Sequence, residues 1–197
     1  MAVTIIPDQD QIIVESFDVD TPAQSNRSWS GRSKAIGLPG SQTRFGSFRT
    51  RAQSTEVKRR PWRAFAASLQ GIVNYFDVRV AKFQRYGDNP TVRAGTGSGK
   101  TLLLAGLPLN TYPLRAGQYV TVPLPSGHHR IAMLLADLVT DGSGNATATL
   151  DVELGEVPTT GVTVETLNPY VRARATSRRI PLNPPGGVWQ IEFEEAL

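Results

Sequence analysis

Ala94-Gly95-Thr96-Gly97-Ser98-Gly99-Lys100-Thr101 is the stretch on which the fold turns. It fits the pattern of a phosphate-binding loop, with alanine at the first glycine position. In that chemistry backbone N–H groups cradle the phosphates, Lys100 reaches the terminal ones and Thr101 holds Mg²⁺. A second string, Ile131-Ala-Met-Leu-Leu-Ala-Asp137, has the form of the apolar strand that ends in a metal-holding aspartate. Together they make Gly99, Lys100, Thr101 and Asp137 the candidate nucleotide site, and a nucleotide-binding enzyme the alternative reading of the chain.

The flanking residues argue for a hairpin turn instead. A working phosphate loop lies between a buried strand and a helix whose dipole faces the phosphates. Tyr86 to Arg93 contains Gly87, Asp88 and Pro90, with Val92 as its one strongly apolar residue. Leu102 to Pro108 meets Gly106 and then Pro108 within two turns. Proline inside a helix costs about 3 kcal/mol. No alternating β-α pattern follows, as a doubly wound sheet would require.

Working outward, turn signals recur every eight to twelve residues from Gly87 onward. They include Gly87-Asp88-Asn89-Pro90, Ala116-Gly117, Pro125-Ser126-Gly127 and Asp141-Gly142-Ser143-Gly144-Asn145. Short apolar runs lie between them: Leu102–Leu104, Tyr119–Leu124, Ile131–Val139, Ala146–Leu154, Gly161–Leu167 and Val171–Ala175. Strands at this spacing predict an antiparallel sandwich or barrel. The 18 glycines and 14 prolines, 32 of 197 residues, point the same way.

Upstream, Val3–Ile6, Gln11–Val19, Phe45–Gln53 and Asn74–Val80 read as strands, and Val188–Phe193 as a last one. In Phe45–Gln53 the alternation puts Phe48, Thr50 and Ala52 on one side, Arg49, Arg51 and Gln53 on the other. Residues 24–43 are rich in Ser, Gly and Arg and read as a loop or a long hairpin connection. One helix stands out, about 61–71, with Pro61 at its first position and Gly71 as its stop. Trp62, Phe65, Ala66 and Leu69 fall on one face of it. The expected fold is therefore mainly β: a single domain over 1–197, an antiparallel sandwich or barrel with one short helix and a long basic loop.

Charge is segregated along the chain. Residues 1–20 hold five acids (Asp8, Asp10, Glu15, Asp18, Asp20) and no Lys or Arg. Residues 26–63 hold ten basic residues and one acid, Glu56. The C-terminal stretch turns acidic again with Glu192, Glu194 and Glu195. Such a basic segment can bind phosphate backbones, stay solvated, or dock on an acidic neighbouring subunit. The last reading is preferred: Trp29, Phe45 and Phe48 lie among the basic residues, but no recognisable nucleic-acid motif does. It makes Arg27, Arg32, Lys34, Arg44, Arg49 and Arg51 the candidate subunit interface.

Other chemistry finds little support. The chain has no cysteine, hence no disulfide, thiolate ligand or cysteine nucleophile. His128 and His129 are neighbours and would face opposite sides of a strand, poor geometry for a shared metal. Asp151 with Glu153 lacks a third cation ligand. No catalytic serine or acid pair is evident, so no cofactor and no enzyme activity are expected. No segment approaches the roughly 18 apolar residues of a membrane span, and Met1 to Glu15 has no basic n-region. A soluble protein made in a cytoplasm is the expectation.

The order of several motifs resembles that of structural tail proteins of long-tailed bacteriophages, distal tail proteins among them. The residues that carry it are Arg60-Pro-Trp-Arg-Ala-Phe-Ala-Ala-Ser-Leu-Gln-Gly71 with Asn74-Tyr-Phe-Asp-Val78, then Leu114-Arg-Ala-Gly-Gln-Tyr-Val120, then Asp137 to Leu150. The resemblance covers roughly 45–175. Gln118 stands where the family commonly has an acid, and Glu153-Leu-Gly155 departs from its usual continuation. The resemblance implies a β-rich virion subunit without catalytic residues. It also implies a ring of copies, hexameric by preference, which joins the tail tube to the tail tip or baseplate hub.

Overall fold

The computed structural model describes residues 2–21, 23–27, 33–37 and 42–196. Its strands are β1 (Val3–Thr4), β2 (Ile12–Asp20), β3 (Ala23–Arg27), β4 (Ser33–Gly37), β5 (Thr43–Thr50), β6 (Tyr75–Arg79), β7 (Thr91–Val92), β8 (Thr101–Ala105), β9 (Tyr119–Pro123), β10 (His129–Met133), β11 (Ala146–Thr149), β12 (Tyr170–Ala175) and β13 (Gln190–Glu195). One α-helix, α1 (Glu56–Ser68), follows β5. The protein is mainly β, 37% strand against 11% helix, as expected, and among the described residues no sheet closes into a barrel, an arrangement compatible with the sandwich form of the expectation.

The main sheet has the order β1-β6-β12-β13-β5-β2. Only β1 runs parallel to its neighbour; the other pairs are antiparallel. Strands β6 and β12 pair directly, Tyr170 opposite Arg79. The chain between them leaves the sheet for some ninety residues, builds β7 to β11, and returns. That excursion forms a three-stranded sheet, β11-β8-β7, and the β9-β10 pair.

Two cores result. The first joins Phe48, Phe76, Val171 and Phe193 of the main sheet to Trp62, Phe65 and Leu69 of α1 and to Trp189. The second holds Leu102, Leu104, Leu114, Val120, Val122, Leu134, Leu138 and Leu150. Strand β10 serves both, because successive side chains point to opposite faces. Ile131 packs in the first core and Ala132 in the second.

In β5 strict alternation buries Arg44, Gly46, Phe48 and Thr50. The strand ends at Thr50, so the expected phase does not run on: Ala52 is exposed and Gln53 buried. A bulge in β2 between Val14 and Ser16 shifts its phase by one residue. Phe17 thereby joins Ile12 and Val14 against the first core. A Cβ on Gly46 would lie 2.3 Å from the Ser16 carbonyl oxygen, so the bulge presses on a position that only glycine fills.

The helix starts five residues before Pro61. Thr55 is its N-cap and accepts from the Lys58 N–H at 3.4 Å. Glu56 favours that first turn electrostatically, and it outweighs the boundary signal of Pro61. At the other end Gln70 and Gly71 both take positive φ, 49° and 70°, which stops the helix.

Within 24–43, the hairpin connection rather than the loop is what forms. Strands β3 and β4 pair antiparallel from Ala23↔Gly37 to Arg27↔Ser33. Among the described residues they pair with each other and with no other strand.

Candidate functional site

The glycine-rich loop joins β7 to β8, which pair antiparallel with Val92 opposite Leu104. Thr101 opens a strand, so no helix N-terminus faces the loop. Its backbone is committed through carbonyl oxygens. Ser98, Gly99 and Lys100 accept from Gly155, Leu154 and Leu150 at 2.9, 3.2 and 2.8 Å. Thr96 Oγ1 closes the turn, donating to the Arg93 carbonyl at 3.0 Å and accepting from the Leu103 N–H at 3.1 Å. Asp137 is held elsewhere, by the Ala116 N–H at 2.9 Å and Arg115 Nη1 at 2.7 Å.

The candidate interface cations separate into distinct groups. Arg27 and Lys34 belong to the β3–β4 hairpin; Arg32 lies outside the described residues. Arg49 reaches across the sheet to Glu15 at 3.0 Å and stays half exposed. Arg51 is exposed. Arg44 does not belong with them. It is 3% exposed, ion-pairs with Asp151, and its guanidinium lies over the rings of Phe17 and Tyr119. An arginine enclosed in its own chain offers no charge to a neighbour, so it leaves the candidate set.

Arg44 is one half of a junction that sequence reasoning missed. Beside it, Arg130 Nη1 donates to Glu195 Oε2 at 2.9 Å, and both side chains are almost wholly buried. Glu195 also accepts from the Arg44 N–H at 3.2 Å and the Ile131 N–H at 3.4 Å, and His128 Nε2 stands 3.5 Å away. Asp151 in turn accepts from the Met133 N–H at 2.7 Å. The junction ties β5 and β13 of the main sheet to β10 and the residues after β11. Asp151 is thereby spent on Arg44 rather than on a cation with Glu153. No three His, Asp or Glu side chains among the described residues are grouped to hold a metal ion.

The histidines part as the strand geometry requires. His128 faces Glu195, while His129 Nδ1 meets the Tyr170 hydroxyl at 2.5 Å. Burial first, then Arg172, holds the His129 imidazole below its ordinary 6.5. Burial pushes Tyr170 up to about 12, so its phenol stays protonated. The unfolded chain therefore binds a proton at His129 before the folded one does. Folding stability should fall as pH drops through 6.5 toward the lowered folded value, and the loss should be absent above 6.5. Comparing Tm against pH for the protein and His129→Gln should show the variant with the flatter acid limb.

The acidic surface is the outer edge of β2, the last strand of the main sheet. Glu15, Asp18 and Asp20 lie along it, all exposed, and Asp8 and Asp10 precede it. Asp10 is neutralised by Lys82 and Arg79, at 2.5 and 3.1 Å; Asp18 and Asp20 form no ion pair among the described residues. Among the described residues, then, the acidic outer edge of β2 pairs with no other strand, and β3 and β4 pair only with each other.

No family model matches the chain, and no curated protein matches it.

Proposed function

We propose that this chain is a structural subunit of a phage tail, a distal-tail-type protein that closes into a ring and links the tail tube to the tail tip or baseplate hub. The observation that carries the reading is the charge opposition between the β2 edge, which pairs with no other strand among the described residues, and the paired strands β3 and β4 with the sequence that joins them. That hairpin segment holds Arg27, Arg32 and Lys34 and no acid. An open strand edge is a template for another chain. Two copies of the acidic edge repel each other, which opposes edge-to-edge dimers. A basic hairpin from the next copy is attracted instead, and contact between two different surfaces of one chain generates a ring when the rotation closes. The order of the tryptophan helix and the two later hairpins supports the tail assignment.

Native mass spectrometry with negative-stain microscopy tests this. The expected result is a closed ring, six copies by preference, that weakens with salt and with Asp18→Lys plus Asp20→Lys. A strict monomer at high concentration, with no binding to tail tube or hub proteins, would overturn the reading.

A further inference from the structure

The excursion between β6 and β12 carries an open cleft of about 450 Å³ on its outward face, lined by Arg93, Asp137, Thr140, Asp141, Asn145 and Thr147. That volume is in the range of small-ligand sites. We propose that this cleft is a binding site for a neutral saccharide, recognised through its hydroxyl groups.

The cleft is built by backbone pairing. Strand β11 sets Thr147 opposite Leu103 of β8, and the Arg93 N–H donates to the Leu103 carbonyl at 2.8 Å. Arg93 and Thr147 therefore flank one residue of β8. The segment from Asp137 to Asp141 forms the facing wall, with Thr140 bridged to Ala146.

Its polar groups are fixed before any ligand arrives. Arg115 and the Ala116 N–H hold Asp137. The Ser143 and Asn145 N–H groups, at 2.8 and 2.9 Å, hold Asp141. These contacts keep both carboxyls below the usual carboxylate range, hence ionised at neutral pH. Thr140 is spent on the Pro108 carbonyl at 2.7 Å and the Thr111 N–H at 2.8 Å. The Arg93 guanidinium and the Thr147 hydroxyl have no hydrogen-bond or ion-pair partner among the described residues, and Asn145 keeps its side-chain carbonyl oxygen unused.

The charges then select the ligand class. Of the ionised lining residues Arg93 stands against Asp137 and Asp141; Arg115, outside the lining, pairs with Asp137, which leaves Arg93 to offset Asp141. An anion meets two carboxylates, and a metal ion meets an arginine. A sugar hydroxyl both donates and accepts hydrogen bonds: it can donate one to the Asp141 carboxylate and accept one from the Arg93 guanidinium. Neighbouring hydroxyls on one ring repeat that pattern. The Arg115 guanidinium that holds Asp137 lies over the ring of Tyr112, 55% exposed, at 4.7 Å.

The test is a titration followed by amide chemical shifts on the full chain. The probes are glucose, galactose, mannose and N-acetylglucosamine, with inorganic phosphate and tetralysine as charged comparisons. At least one sugar should shift Arg93 and the Asp141–Thr147 amides saturably, in the millimolar range. Arg93→Ala, which removes a side chain with no internal partner, should leave the spectrum folded and weaken binding about tenfold. Thr147→Val should weaken it less. No saturable shift with any of the sugars, an unchanged affinity in Arg93→Ala, or a response to phosphate or tetralysine in place of sugar would overturn the proposal.

Discussion

Arg130→Ala should destabilise the fold by about 3–5 kcal/mol, the range for breaking a buried ion pair by removing one partner. The guanidinium donates to Glu195, to the Glu153 carbonyl at 3.1 Å and to the Gln42 carbonyl at 2.7 Å. Without it the Glu195 carboxylate stays enclosed, with the Arg44 and Ile131 backbone N–H groups and the His128 ring as its remaining neighbours among the described polar groups. The loss is one of desolvation left uncompensated, not of the net value of the pair. Removing both charges tests that distinction. Arg130→Met with Glu195→Leu should recover most of the loss, since apolar replacement of a buried pair is often neutral. Urea denaturation of the protein, the single variant and the double variant measures all three. If the double variant is as unstable as the single one, the destabilisation comes from lost packing and not from the stranded charge.

That junction also shows where the sequence could and could not be read. The alternation that put Phe48 and Thr50 on one face of β5, carried back two steps, puts Gly46 and Arg44 on the same face. The signal for a buried arginine was therefore present, but the run of ten basic residues masked it by suggesting a shared surface. Its partner Asp151 lies 107 residues away, and no local pattern records so distant a pairing. The hairpin nature of the Gly95–Thr101 loop was legible because Gly106 and Pro108 forbid a helix next to it. Plain alternation over Gln11–Val19 would set Phe17 opposite Ile12 and Val14, yet all three pack on one core, because a bulge leaves no mark in the alternation it interrupts. The ninety-residue excursion was illegible for the same reason as the ion pairs: β6 and β12 meet through long-range register, and both look like ordinary short strands.

The cleft fared differently from the nucleotide string. Only under the alternative, nucleotide-binding reading does Asp137 hold a metal, because it ends an apolar run. The structure gives it an arginine and a backbone amide on the turn Leu114–Gln118, and thereby places it at the rim of a different cavity. Arg93 entered the sequence reading only as the flank of the glycine loop. An exposed arginine has no periodicity of its own, and its neighbours in the cleft come from the segment Asp137–Asp141 after β10, from the turn that follows it and from β11.

Phe193→Ala carries the other large expected effect, about 3–5 kcal/mol for truncating a fully buried aromatic. Phe193 is 1% exposed and sits on β13, which pairs with β5 on one side and β12 on the other. Its ring centroid lies 6.2 Å from Phe48, 6.4 Å from Phe17 and 6.5 Å from Phe76. These partners come from β5, β2 and β6, so one cavity would loosen four strands of the main sheet at once. Strand backbones fixed by their ladders cannot collapse freely onto the space, which places the loss in the upper part of that range. Ile191→Val, two residues earlier on the same buried face, should cost only about 0.5–1.5 kcal/mol and serves as the control. Phe193 and Glu195 share that face, so Phe193→Ala and Arg130→Ala should not sum when combined. The measurement is urea denaturation followed both by far-UV circular dichroism and by tryptophan fluorescence, since Trp62 and Trp189 stack in this core at 6.3 Å. Because β2 is held to the sheet through β5, the ring proposed above predicts that Phe193→Ala also impairs assembly at a temperature where Ile191→Val still assembles. Assembly by Phe193→Ala with undiminished stability would show that the aromatic cluster does not set the position of the β2 edge.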